Sequence, residues 1–149
     1  YLLTCFDDVD INQQVITDWI QVMKHTYNIR KVAMYSYRFA LVKRELAVIV
    51  FDEAYGDIKM VRPSDVMFVQ NKISSIFANG SIIWGDDPMM RWYTNNAKLE
   101  PAPNNNFRYG KIEPKSRKTD GFMAFVHAMT IEEEIPEETE AVFLDPITF

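Results

Sequence analysis

The chain has 149 residues, a formal net charge of −5 and a hydrophobic fraction of 48 %. That is one domain of ordinary size with enough apolar material for a core, which excludes a largely disordered chain. A single cysteine, Cys5, excludes an internal disulfide and suits a reducing compartment; the apolar runs are too short to span a bilayer, and no signal peptide is expected.

YLLTCF (1–6) reads as a strand with Cys5 as a small core residue. In DDVDINQQ, Asp10 and Gln13 have capping-box spacing, and Asp7, Asp8 and Asp10 complement the dipole of the helix that follows. Ile11, Val15, Ile16, Trp19, Ile20, Met23 and Tyr27 form one stripe along that helix. KVAMYS (31–36) is a second strand. YRFALVKREL (37–46) reads as a helix with Tyr37, Ala40, Leu41 and Val48 on its inner side. DIKMVRP (57–63) is a third strand, and Ser64 is expected to cap a helix turning Val66, Val69, Ile73, Ile76 and Phe77 inward. Asn79–Gly80 marks a turn. SIIW (81–84) and RWYTNNAKL (91–99) are expected to pair across GDDPM, PAPNNN (101–106) to be a loop, and YGKIEP (109–114) a short strand. A last helix is expected from Thr119, as N-cap, to about Glu134. Residues 1–134 then make one domain and 135–149 an acidic, solvated tail.

Strands alternating with helices argue for an α/β fold with parallel strands in the middle. Sites in such sheets collect at the carboxyl ends of strands, here Tyr35–Ser36 and Arg62–Pro63. The chain has no P-loop, GxGxxG, HExxH, CxxC or GxSxG pattern. His25 and His127 are isolated, and His127 reads as a core or boundary residue. The remaining chemistry lies in RKTDGFMAFVHAM (117–129) and the stretch before it. Arg108, Lys111, Lys115, Arg117 and Lys118 stand against one acid, Glu113, whereas Glu132 to Asp145 holds seven acids and no base. Phosphodiester cleavage needs oxygen ligands for Mg²⁺ or Mn²⁺ and cations for the backbone, and Asp120 beside Lys115, Arg117 and Lys118 offers both. By itself, an aspartate in a first helical turn is also ordinary electrostatic complementarity.

DDPMMRWYTNN (86–96) and YGKIEPKSRKTDGFMAFVHAM (109–129) resemble the C-terminal nuclease region of the large terminase subunit of tailed bacteriophages. DINQQVITDWIQVMKHTYNIRKVAM (10–34), YRFALVKREL (37–46) and KMVRPSDV (59–66) agree, so the resemblance runs to about residue 130. It implies an RNase H-like fold, a mixed sheet flanked by helices, without the family's first strands. It also implies a Mg²⁺- or Mn²⁺-dependent endodeoxyribonuclease that cuts concatemeric double-stranded viral DNA in the cytoplasm of a bacterial host. Portal and small terminase subunit are the implied protein partners. Asp120 matches the family's late-helix metal-binding acid, with Lys111, Lys115, Arg117 and Lys118 against the DNA backbone. Arg91 and Trp92 are expected to support the fold. Two departures stand out. AMYSYRF has Tyr35 where the family has an aspartate, as in AMDNYRF, and a protonated phenol is a poor Mg²⁺ ligand. The family's first-strand acid and ATPase half are expected to be missing from this chain. Ser36, Asp57 and Glu113 are the candidates for a replacement ligand. The alternatives are a degenerate or truncated prophage relic without catalysis and a protein-interaction module of the packaging motor.

Overall fold

A computed structural model describes residues 12–49, 51, 53–104 and 106–135. The expected strand at 1–6, Cys5, the aspartates at 7, 8 and 10, and the tail from 136 lie outside the described residues. Helix α1 spans Gln14–Lys24, and Asn12 Oδ1 accepts from Gln14 N at 3.0 Å at its start. Ile20 is its buried apolar anchor, while Trp19 stays half exposed.

Strand β1 (Val32–Tyr35) leads into α2 (Phe39–Val48) and then β2 (Ile58–Val61). β1 and β2 pair in parallel from Val32↔Ile58 to Tyr35↔Val61, as expected of strands joined through a helix. The inner face of α2 differs from the expectation. Val42 and Leu46 are buried, followed by Ile49, whereas Tyr37 and Val48 are 75 % and 77 % exposed and Ala40 and Leu41 also face outward. A stripe at i, i+4 and i+7 sets the helix phase, and the left-handed Arg38 (φ 55°) turns the chain between Tyr37 and that stripe. Ile20, Val42, Leu46, Ile49, Phe51 and Ile58 form the first core, with Val32 and Met34 packed on it.

Alternation along the strands sends Lys31, Tyr35 and Lys59 to the opposite face, where α5 (Asp120–Met129) lies. Helix α3 (Pro63–Ala78) follows β2 after one residue. Its cap is not Ser64: Arg62 holds the cap position, Pro63 is the first helical residue, and Asp65 Oδ2 accepts from Arg62 N at 2.7 Å. Pro at that position loses no helical hydrogen bond. Val69 and Ile73 of α3 meet Met90, Tyr93, Phe122 and Val126 in a second core. Trp84 on Phe125 and Tyr109 on Phe122, each with ring centroids 5.1 Å apart and nearly perpendicular, close it.

The hairpin lies one step later than expected. Asp87 Oδ1 accepts from Met89 N (2.8 Å) and Met90 N (3.0 Å), and Pro88 opens α4 (Pro88–Asn95). This cap makes PMMRWYTN helical rather than a strand, and 81–84 has no strand partner among the described residues. The strands are instead β3 (Ala97–Ala102) and β4 (Asn106–Lys111), antiparallel from Ala97↔Lys111 to Ala102↔Asn106. Part of the expected loop 101–106 is therefore paired. The last helix also stops earlier, at Met129, and Glu132–Glu134 form a separate 3₁₀ turn.

The fold is mixed α/β. Among the described residues the strands make two two-stranded sheets rather than one mixed sheet. Of the described helices, none is long and apolar enough to cross a membrane.

Candidate nucleic-acid interface

Residues 112–119 join β4 to α5 and carry most of the basic group. One buried side chain ties this loop down. Asn96, the C-cap of α4, is fully buried. Its Nδ2 donates to Lys118 O at 2.9 Å, its Oδ1 accepts from Arg117 Nη1 at 3.2 Å, and its carbonyl accepts from Ile112 N at 2.8 Å. Both ends of the loop are thus fixed to one residue. Within it, Arg117 N donates to Glu113 O at 3.0 Å and Ser116 Oγ to Glu113 Oε2 at 2.5 Å. Asn96 is not among the residues singled out from the sequence, where 91–99 reads as a strand and no local pattern marks it.

Lys115 and Lys118 are exposed and Lys111 is half-buried; none of the three has an ion-pair partner among the described residues. Arg117 is shared with Glu113, 3.7 Å from Nε, and is half exposed. Arg108 points elsewhere. It sits on the charged face of the hairpin, 3.4 Å from Glu100, which also takes Lys98 at 3.2 Å. Lys98, followed by Arg108, holds the Glu100 carboxyl below its ordinary value.

Asp120 follows the loop as the first residue of α5 and is exposed. Thr119 holds the N-cap position, but its side chain is buried and makes no capping bond. The contacts of α5 run in reverse order along β1. His127 stacks on Tyr35 with centroids 6.1 Å apart, and Glu134, beyond the helix, reaches Lys31. Asp120 therefore lies toward the end where the strands finish and away from their amino ends. Seven residues of helix separate it from His127, roughly 10 Å along the axis. Tyr35 is accordingly held at the second turn of α5 and not at Asp120. Burial of the His127 ring lowers its basicity.

The other candidate ligands are scattered. Ser36 is exposed just after β1. Asp57 precedes β2, at the amino ends of the strands and so at the opposite end from Asp120. Glu113 is engaged with Ser116 and Arg117. No group of three or more His, Cys, Asp or Glu residues with metal-site geometry occurs among the described residues. Arg91 pairs with Asp86 at 2.5 Å, and Trp92 lies edge-on to Tyr93, both consistent with roles in support of α4.

A second basic group stands on the face of the sheet under α5. Lys31 and Lys59 both reach Glu134, at 3.0 and 2.8 Å, and Lys59 Nζ also donates to Thr130 O at 2.8 Å. Lys72 of α3 pairs with Glu132 and, at 3.0 Å, with Glu133. The acidic run that the sequence suggested as solvated is thus engaged over its first three residues.

No protein family model matches this chain, and no curated protein and no solved structure matches it.

Proposed function

We propose that this chain is the DNA-facing C-terminal part of a terminase-type, RNase H-like nuclease domain. In this reading Lys111 at the end of β4 and the 112–119 loop grip the phosphate backbone of double-stranded DNA, and Asp120 is a metal ligand. The observation that carries it is that Asp120 opens α5 directly after a loop pinned by buried Asn96, and that this loop carries Lys115 and Lys118, cations without an ion-pair partner among the described residues. Backbone phosphates satisfy such cations without any reading of sequence.

One exposed carboxylate fits a hydrated Mg²⁺ or Mn²⁺ shared with a substrate phosphate, which is how such ions are commonly held. It does not by itself make a paired-metal clamp, and Tyr35 does not add a second carboxylate. When bound, the ion would polarise the phosphate it shares. The protein's own contribution is to position that phosphate. The loop lysines fix the backbone, and the Asn96 bonds keep the loop's path up to Lys118 in register with the start of α5.

Plasmid nicking in Mn²⁺, with duplex binding at rising salt, tests the reading. Binding that weakens steeply with salt, and nicking lost in Asp120→Ala, are the expected results. Binding without nicking reduces the proposal to a DNA-binding relic. A folded chain with no affinity for DNA overturns it. That last outcome favours the second reading, a protein-interaction module of the packaging motor, for which the exposed apolar side chains Trp19 and Val22 of α1, Tyr37 and Val48 speak.

A further inference from the structure

Lys31 precedes β1, Lys59 lies in β2 and Lys72 in α3, so three separate elements bring these cations together. Their carboxylate partners all come from one short segment, Glu132–Glu134. This geometry has two properties that matter. Lys59 and Lys72 lie within a strand and a helix and Lys31 directly precedes a strand, so the backbone of all three is placed by elements other than the acidic turn. The carboxylates ride on a single 3₁₀ turn after the end of α5 and remain accessible, with the Glu132, Glu133 and Glu134 side chains 52 %, 74 % and 43 % exposed. Exposed pairs of this kind are weak and screened by salt. An exposed acidic cover over this cationic patch is therefore open to competition by a denser anion.

We propose that Lys31, Lys59 and Lys72 form a second phosphate-backbone surface, which the Glu132–Glu134 turn occupies as an internal substitute for nucleic acid. The occupant inferred is a DNA backbone, because its closely spaced phosphates present the same multiple anionic oxygens to ammonium groups that the three glutamates present here. The surface is distinct from Lys111 and the 112–119 loop, so it stands or falls separately from the function proposed above.

The test is binding of a random-sequence duplex by the full chain across a salt series, followed by fluorescence anisotropy. The variant Glu132→Gln, Glu133→Gln, Glu134→Gln keeps side-chain shape and removes the cover. It is expected to bind on the order of tenfold more tightly at low salt, with a salt slope steeper by up to about 2.7, the value for three added phosphate contacts. Adding Lys31→Gln, Lys59→Gln and Lys72→Gln should return affinity and slope to those of the parent. A gain of equal size from Glu137→Gln, Glu138→Gln, Glu140→Gln would overturn the proposal, since overall charge would then suffice. Unchanged binding by the first variant, with helical circular dichroism intact, would also overturn it. Loss of parent binding in Lys115→Gln, Arg117→Gln, Lys118→Gln with the gain still present in the combined variant would separate the two surfaces. A gain over a parent that does not bind would support this surface alone.

Discussion

Two groups of cations on this molecule have met opposite fates. Lys31, Lys59 and Lys72 are closed by the chain's own acids. Lys111, Lys115 and Lys118 have no such partner among the described residues. Counting charge along the sequence draws attention to the second group, because its members are neighbours. The first is invisible to that count, because its members are 28 and 13 residues apart and only the β1–β2 pairing and α3 gather them. A basic stretch is thus informative about function only after the fold has assigned its counter-charges.

The largest expected effect comes from emptying the open group. Lys111→Gln, Lys115→Gln, Lys118→Gln should flatten the salt slope of DNA binding by about 0.9 per lost contact and abolish binding at moderate salt. The same three-charge change in Lys31, Lys59 and Lys72 of the parent should leave DNA binding nearly untouched, since those cations are already occupied. Equal losses from both triples in the parent chain would dissolve the comparison.

Removing the pin is the next largest effect. Asn96→Ala leaves the part-buried Lys118 carbonyl bond and the Arg117 bond unmade, a cost of roughly 1–3 kcal/mol that urea unfolding would measure. DNA affinity should fall as the loop loosens, with the salt slope unchanged, because every cation is still present. A changed slope would mean that Asn96 places charges rather than ordering the backbone.

The parts of the fold legible in sequence were those with local causes. β1, β2 and the span of α3 follow from apolar periodicity bounded by turn residues, and each is found where expected. The errors came from competing local signals and from tertiary choice. In GDDPMMRW, the Asp-Pro cap outweighs the strand-like RWYTNNAKL, so the hairpin moves to 97–111. In α2, Tyr37, Ala40 and Leu41 make a plausible inner side, yet the stripe Val42, Leu46, Ile49 fills the core. At the candidate site, Asp120 and the basic loop were visible as residue types. Asn96 was not, because a buried amide that bridges 21 and 22 residues has no local pattern.

A smaller effect is expected at Gly121, where α5 crosses α4. A methyl there would run into the Tyr93 ring and come within 3.0 Å of Met90 Sδ. Gly121→Ala should improve helix propensity by up to about 1 kcal/mol but cost about 1–3 kcal/mol in overpacking of the second core. A net loss near 1 kcal/mol in thermal or urea unfolding is expected. The helix carries Asp120 at its first position, so any displacement should also weaken DNA binding through the open group alone.

Acid separates the two groups most finely. Half-buried His127 has its folded pKa below 6.5, so the unfolded chain binds the extra proton first. Its contribution to stability is complete above about pH 6.5 and fades as pH falls toward its folded value. His127→Gln should remove this part of the pH dependence, as read by unfolding between pH 7 and 5. Glu134 acts in a lower window. Lys59 and then Lys31 hold its carboxyl below 4.5, so its stabilising share is present above that value and is lost as pH drops through the folded pKa. Protonation there neutralises the partner of Lys31 and Lys59, while Lys115 and Lys118 have no such partner among the described residues. If the cover works as inferred, the low-salt DNA affinity of the folded parent should rise toward that of the Glu132–Glu134 glutamine variant as pH falls through this window. A parallel drift of both proteins would trace the change to overall charge instead.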